Sequence, residues 1–187
     1  MAAAEARDAN DLHAERDLAR RARRGDSAAF DQLVLRFQHP VYRLCRRILR
    51  SPHAEDLAQE TFVRAFVHFD RFDPERPLLP WLLTIARRLC LDLLRRDKVM
   101  AKPEDTPVAV DPAPSPERHA SLSEQVSRLE RALADLDDGP REAIMLFHVE
   151  ELSYRDIAAA LEVPLGTVMT WLHRGRAQLK SALEETA

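Results

Sequence analysis

Short hydroxyl, imidazole and guanidinium side chains recur at helical spacing near the C-terminal end of the chain. At about 100° per residue, five of them and one methionine share one face, or the edges of that face, of a helix predicted over 167–183. They are Thr167, Met169, Thr170, His173, Arg174 and Arg176. Groups of these types hydrogen-bond base edges in the major groove of DNA, and flanking cations hold phosphates. The pattern predicts recognition of DNA, although a solvated amphipathic helix would show the same pattern.

A second helix must hold this face outward. The segment 154–161 is preceded by Ser153 and carries Asp156, a variant of the capping box. A short break, 162–165, separates it from the basic helix, whose apolar face should pack on the shorter helix. Two helices joined this tightly, the second longer and basic, are typical of a helix-turn-helix.

The N-terminal half offers a tryptophan on a basic stripe. Trp81, Arg88 and Arg95 fall on one face of a predicted helix over 81–96. Stacking of an aromatic ring on bases, combined with phosphate contacts, is how single-stranded nucleic acid is bound. The alternative is that Trp81 packs beneath the preceding loop, 69–80, and the residues alone do not choose between the two.

An acidic stripe with one apolar member lies on the preceding predicted helix. It consists of Asp56, Gln59, Glu60 and Val63. Such a stripe could dock a basic partner helix or could simply face solvent.

The sequence contains none of the catalytic motifs that we looked for. The chain has no HExxH, GxSxG or GxGxxG motif, and its four glycines exclude a phosphate-cradling loop. Its two cysteines, Cys45 and Cys90, lie on or near apolar helix faces and are predicted to fill the core. We therefore predict no catalytic residue, no metal site and no cofactor, and a protein that is not an enzyme.

The elements that carry these faces are all predicted to be helices, because no stretch shows the alternation of a strand. Five of the twelve prolines fall within 97–120, so this segment is predicted to be a flexible linker. We predict four parts, listed in chain order. They are an N-terminal extension over 1–17, a helical bundle over 18–96, a Pro-rich acidic linker over 97–120, and a four-helix helix-turn-helix domain over 121–187.

Charge follows the same division. Residues 1–96 carry 18 basic and 14 acidic side chains, a net charge of +4, whereas residues 97–140 carry 5 and 10, a net charge of −5. An anionic partner touched at both ends of the chain would suit this distribution. No apolar run has the length of a membrane span or of a secretory signal, so we predict a cytoplasmic protein without membrane insertion.

Three segments taken together resemble the extracytoplasmic-function (ECF) group of bacterial RNA polymerase sigma factors, in the sigma-70 family. They are AEDLAQETFVRAF (54–66), WLLTIARRLCLDLLRR (81–96) and LSYRDIAAALEVPLGTVMTWLHRGRAQLKSAL (152–183). The family often has glycine at the position of Glu162, so the turn here must close without the most permissive residue.

The resemblance implies a sigma factor that directs core RNA polymerase to promoters and helps to melt them. It implies that the acidic stripe binds the clamp helices of core RNA polymerase, that the second domain rests on the polymerase flap, and that an anti-sigma factor restrains activity. It also implies contacts with the −10 element of promoter DNA by residues of the first domain, and reading of the −35 element by the six residues named above. The −10 residues are Phe69, Phe72, Trp81, Arg88, Arg95 and Arg96.

Two other functions fit the residues alone. One is a free-standing, dimeric helix-turn-helix regulator with an N-terminal interaction domain, which would read two half-sites. The other is a protein-interaction adaptor whose basic faces are merely solvated.

Overall fold

The computed structural model describes residues 2–49, 51–100 and 128–184, with side chains from Asp11 onward and not at 98–100. The chain divides into two compact units, between residues 108 and 109. Over the described residues every regular element is helical, which confirms the all-α fold class. Most of the predicted linker, 97–120, lies outside the described residues.

The first unit contains four α-helices and one 3₁₀ turn. They are α1 (Ala2–Arg23), α2 (Ser27–Leu49), α3 (Ala54–Val67), the 3₁₀ turn (Phe69–Arg71) and α4 (Leu78–Met100). Helix α2 packs on each of the other three helices. Helix α1 continues past residue 17 to Arg23, and helix α4 continues past residue 96 to Met100. The predicted boundaries at 17 and 96 therefore fall inside helices.

Helix α2 begins at the predicted cap. The Asp26 carboxylate accepts a hydrogen bond from the backbone N–H of Ala29 at 3.0 Å, and the Arg21 guanidinium donates to its other oxygen at 2.8 Å. A proline inside a helix is expected to kink or split it, but α2 is continuous past Pro40 to Leu49. Buried side chains on both sides of the proline, such as Phe37 and Val41, keep one packed face across it, which outweighs one missing backbone hydrogen bond.

Helix α3 begins later than predicted. Ser51, followed by proline, is the residue that the sequence offers as a cap, but the cap residue is His53, which makes no side-chain capping bond. The Ser51 carbonyl instead accepts from the backbone N–H of Ala54 at 3.3 Å, so 51–54 form a turn before the helix. Proline at position 52 fits such a turn as well as it fits a first helical position.

The second unit follows the predicted four-helix layout. Its helices are α5 (helical over the described residues 128–134), α6 (Asp138–His148), α7 (Tyr154–Leu161) and α8 (Leu165–Glu184). The Ser153 hydroxyl accepts from the backbone N–H of Asp156 at 3.2 Å, which confirms the predicted cap of α7. Helix α8 starts two residues before the predicted 167.

The packing of α8 on α7 is as predicted over most of its length. Val168 and Leu172 of α8 are buried, and so are Ile157 and Leu161 of α7. Leu183, which helical spacing places on the same face, is 38% exposed. Over the described residues, no helix combines the length and the apolar character that crossing a bilayer requires.

Candidate nucleic-acid interfaces

The turn between α7 and α8 is closed by a residue in the left-handed conformation. Glu162 has φ 56° and ψ 43° and ends α7. The backbone N–H of Val163 donates to the Ala158 carbonyl at 3.1 Å, and that of Glu162 donates to Ala159. A non-glycine residue adopts this conformation at a cost of roughly 1–2 kcal/mol. The turn therefore keeps its geometry although Glu162, and not glycine, occupies this position.

Helix α8 presents the predicted face to solvent. Thr170, His173 and Arg174 are exposed, Met169 is 53% exposed, and Thr167 is half-buried near the helix start. The Thr170 hydroxyl donates to the Gly166 carbonyl at 2.9 Å, which leaves its oxygen able to accept. In the described part of the chain Arg174 makes no ion pair or hydrogen bond, so its guanidinium is available to a ligand.

Arg176 differs from Arg174 because it is already engaged. Its guanidinium carbon lies 4.7 Å from the ring centroid of Phe147, a cation–π contact. Its Nη1 also lies 3.5 Å from the Tyr154 hydroxyl. These contacts tie α8 to α6 and to the start of α7. Arg176 therefore braces the helix-turn-helix, and its exposed guanidinium is held in a fixed direction.

Trp171 packs inside the second unit, as we expected for a residue at the border of the apolar face. It is half-buried, and its ring lies so close to Gly139 of α6 that a Cβ there would sit 2.6 Å from Cζ2. At Gly175 a Cβ would sit within 3 Å of Ile144. Two glycines thus allow α6 and α8 to approach closely, which sets the position of the recognition face.

The first unit places its aromatic residues beneath the loop that we assigned to DNA. Phe69 and Phe72 are each only 4% exposed. The Trp81 ring centroid lies 5.1 Å from that of Phe72 and 5.9 Å from that of Phe69. Of the two interpretations of Trp81, the structure shows packing under the loop, and Trp81 keeps a partly exposed edge. Phe69 and Phe72 present no ring face to a base and support the loop from below.

The predicted cations of α4 lie outside this cluster. Arg88, Arg95 and Arg96 are all exposed, and the Arg95 guanidinium donates to the Asp92 carboxylate at 3.1 Å. The Thr84 hydroxyl bonds back to the Pro80 carbonyl at 2.9 Å. The basic face of α4 is therefore a surface available to a polyanion.

The acidic stripe of α3 is exposed, as its spacing implied. Asp56, Gln59 and Val63 are exposed, and Glu60 is half-buried with its carboxylate 2.8 Å from Arg64 Nε. The helical spacing of α3 places Phe66 on the side of Phe62, but Phe66 is 56% exposed, and its ring makes an edge contact with Phe30. The apolar part of this surface is larger than the sequence indicated. Its exposed apolar residues on α3 are Val63, Phe66 and Val67.

A groove of about 520 Å³ runs between α2 and α3, next to the acidic stripe. Its floor is apolar and its rim polar. The lining residues are Val34, Gln38, His39, Tyr42, Glu55, Ala58, Gln59 and Phe62. Because Gln59 belongs to both, the groove and the stripe form one continuous surface.

Two residues of α1 that the sequence analysis missed reach the loop before α4. The Glu15 carboxylate accepts a hydrogen bond from the backbone N–H of Leu78 at 2.7 Å, and Arg20 pairs with Glu75. No local pattern signals contacts between residues so far apart in the chain.

The described residues offer little for catalysis or metal binding. They contain no cluster of three or more histidine, cysteine or acidic side chains that could hold a metal ion. Cys45 and Cys90 are buried, as predicted. A hydrogen bond from Cys90 lowers the pKa of the Cys45 thiol, while burial opposes that shift.

Comparison with known families matches both units. The family model described as Sigma-70 region 2 matches residues 33–99, and the one described as Sigma-70, region 4 matches residues 127–179. The ECF RNA polymerase sigma factor SigW of Bacillus subtilis is 34% identical over 181 residues, covering 89% of this chain and 95% of SigW. The ECF RNA polymerase sigma factor SigE of Mycolicibacterium smegmatis is 40% identical over 166 residues, covering 85% of this chain and 64% of SigE.

Solved structures are also similar to this chain. CnrH, determined in complex with the cytosolic domain of CnrY, superimposes with a TM-score of 0.67 at 30% identity, over 93% of this chain and 99% of CnrH. The sigma factor RpoE of Bartonella quintana, in complex with the anti-sigma factor NepR, gives 0.69 at 28% identity, over 83% of this chain and 96% of RpoE. The chain belongs to the ECF sigma factors of the sigma-70 family, non-enzymatic initiation factors that direct RNA polymerase to promoters.

Proposed function

We propose that the two units divide promoter recognition between them, with the second unit reading the −35 element through α8. The exposed, unpaired Arg174 on a rigidly docked helix is the observation that carries this assignment. Thr170 and His173 extend the same face, and Arg176 and Thr167 lie at its edges. The unit would enter the major groove with a preformed surface, while its remaining surface rests on the polymerase flap.

The first unit reads the −10 element through the loop over 69–80 and the basic face of α4. Arg88, Arg95 and Arg96 suit phosphate contacts because they are exposed on one helix. Trp81 offers a partly exposed edge next to the loop. The buried Phe69 and Phe72 act by fixing the shape of the loop that receives an unstacked base.

The acidic stripe of α3 binds core polymerase at its clamp helices. Asp56, Gln59, Glu60 and Val63 combine exposed carboxylates with exposed apolar surface, beside a groove with an apolar floor. A contiguous apolar surface with a polar rim is typical of a protein interface. This supports a protein partner on this face more strongly than it supports a solvated surface.

We infer that an anti-sigma factor competes for these surfaces in the cytoplasm. The matched RpoE structure is a complex with the anti-sigma factor NepR, and CnrH is bound to a CnrY domain. A restraint of this kind covers the surfaces that polymerase and promoter DNA require.

The test is transcription with purified core polymerase on a promoter recovered by sequencing DNA bound with the polymerase. Asp56→Ala combined with Glu60→Ala should weaken core binding about tenfold, the equivalent of about 1.4 kcal/mol. Both side chains are accessible, so the folded state should survive, as a thermal unfolding curve would show. Asp17→Ala, a change in an exposed carboxylate on α1 rather than on α3, is the matched control.

Unchanged core binding by the folded double variant would remove the stripe from the polymerase interface. If the protein instead forms a stable dimer that footprints a palindrome without polymerase, the free-standing regulator gains support.

A further inference from the structure

Helix α4 receives its N-terminal cap from a remote helix. Leu78 is the first residue of α4, and its backbone N–H donates to Oε1 of Glu15, 63 residues earlier in the chain, at 2.7 Å. The Glu15 side chain lies on α1 and is only 7% exposed. A buried carboxylate is rare unless its oxygens are bonded, so this contact is a specific one.

The local sequence explains why a remote cap is needed. The first backbone N–H groups of a helix have no partner within the helix, and a serine, threonine, aspartate or asparagine just before it usually supplies one. The residue before Leu78 is Pro77, which has no such side chain. Glu15 supplies the acceptor instead, and its negative charge also suits the positive end of the helix dipole.

A second contact joins α1 to the same loop. The Arg20 guanidinium donates to Oε1 of Glu75 through both Nε, at 3.1 Å, and Nη2, at 2.5 Å. The loop is closed internally, because the Asp73 carboxylate accepts from the backbone N–H of Glu75 at 3.1 Å. Helix α1 therefore holds the loop at Glu75 and at Leu78, while the buried aromatic rings support it from below.

We propose that α1 is a positioning element for −10 recognition, with Glu15 and Arg20 as its positioning residues. This rests on the proposed function of the 69–80 loop as the reader of an unstacked base. Neither residue touches DNA in this mechanism. They hold the loop in one conformation, so that binding of the single strand does not have to order it. Both residues precede the Sigma-70 region 2 match, which begins at residue 33.

The main test measures how holoenzyme binds a single-stranded oligonucleotide carrying the −10 element. Removing a buried hydrogen bond to a charged group shifts a conformational equilibrium by roughly tenfold or more, so Glu15→Ala should weaken oligonucleotide binding about tenfold. Core affinity and binding of a −35 duplex should not change. Glu15→Gln should recover most of the loss, because its amide oxygen can still accept from Leu78. Asp17→Ala, an exposed carboxylate on the same helix, should behave as the unaltered protein.

A second set of variants decides the question if Glu15→Ala does not fold. Arg20 and Glu75 are about half exposed, so changing them should leave the fold intact. Arg20→Glu and Glu75→Arg should each weaken oligonucleotide binding roughly 2–5-fold, and the charge-swapped double variant should restore it. Restoration by the swap would show that the ion pair, rather than either charge alone, holds the loop, and unchanged core affinity would separate this from a general loss of stability.

Three results would overturn the proposal. Folded Glu15→Ala could bind the oligonucleotide as tightly as the unaltered protein, with no effect of the Arg20 and Glu75 changes. The variants could instead lose core affinity, −35 binding and oligonucleotide binding to the same extent. If the unaltered holoenzyme does not bind the oligonucleotide at all, the proposed function of the loop fails, and the role of α1 fails with it.

Discussion

The exposed face of α8 and the loop over 69–80 are constructed in opposite ways. The α8 face is a stripe of side chains on one regular helix, and Thr170, His173 and Arg174 point outward because helical geometry puts them there. The loop has no periodicity, and its shape depends on aromatic rings below it and on contacts from α1. The α8 face therefore arises from local helical geometry, whereas the shape of the loop arises from tertiary contacts.

This contrast indicates how each surface should respond to change. A stripe on a helix loses one contact when one side chain is removed, and the remaining contacts keep their positions. A loop held at two points changes shape when either anchor is removed, so residues that never touch DNA can control it. Variants of the second unit should therefore act locally, unless they move α8 as a whole.

Gly139→Ala should have the largest effect on the second unit, because it moves the whole α8 face. A Cβ at this position would overlap the Trp171 ring, with three ring atoms within 3 Å. We expect the overlap to lower the free energy of unfolding of the second unit by about 1–3 kcal/mol. The higher helix propensity of alanine offsets at most about 1 kcal/mol of this loss. Urea unfolding and −35 duplex binding measure the effect.

Gly166→Ala is the matched control for this prediction. No atom lies within 4 Å of a Cβ at Gly166, which is the second residue of α8. Alanine there should be neutral or should stabilise by about 0.4–1 kcal/mol. Equal stabilities for the two alanine variants would contradict the proposed close contact between α6 and Trp171.

Arg174→Ala should remove one contact of the α8 face without moving the helix. If Arg174 contacts a base, holoenzyme binding to the promoter should weaken by about 1–3 kcal/mol, and selectivity should relax at one −35 position. Lys180→Ala, a change in an exposed cation on the same helix, should have a smaller effect that is uniform across sequences. Unchanged promoter use by Arg174→Ala would remove this residue from the interface.

Glu162→Gly tests the turn that presents α8. Glycine adopts the left-handed conformation without the steric cost that Glu162 bears, although it loses more entropy on folding. We expect a net gain of about 0.5–1 kcal/mol in the free energy of unfolding, measured by thermal unfolding, with promoter selectivity unchanged. Ala159→Gly, a change within α7, should destabilise by about 1 kcal/mol. Destabilisation by both changes would show that Glu162 contributes more through its side chain than its backbone costs.

The smallest expected effect is the pH dependence conferred by Asp26 in the first unit. The backbone N–H of Ala29 and then the Arg21 guanidinium lower the pKa of the Asp26 carboxyl below its ordinary 3.8. The stability that its ionised form confers is therefore complete above that ordinary value and is lost as the pH falls through the lower, folded-state value. Asp26→Asn keeps a capping oxygen but should lose this pH dependence.

Thermal unfolding at about pH 6 and about pH 3 measures this difference. Asp31→Asn, a change in an exposed carboxylate of α2 that caps no helix, is the control. Parallel pH profiles for the unaltered protein and Asp26→Asn would contradict the role of the ionised cap.

Several structural features were predictable because they depend on residues close together in the chain. The Asp26 and Ser153 caps, the span of α7 and the burial of Val168 and Leu172 all follow from spacing within one or two helical turns. The acidic stripe of α3 and the outward face of α8 were found for the same reason.

Other features could not be predicted because the decisive partner is distant in sequence. The spacing placed Phe66 in the core, but the helices around it leave it exposed. Conversely, Phe69 and Phe72 were assigned to DNA contact, and packing against Trp81 buries them. Whether an aromatic residue near a loop lies inside or outside depends on which helices cross it, and local periodicity contains no information about that.

The all-helical architecture, the helix-turn-helix and the membership in a family of initiation factors could be inferred from the residues alone. These depend on periodicity, capping residues and motif order, which are properties of neighbouring residues. The cation–π contact of Arg176 with Phe147 and the cap that Glu15 provides for α4 became visible only in the folded structure. Such contacts form only once helices distant in sequence have packed, since a hydrogen bond or cation–π contact requires its partners within a few ångströms of each other.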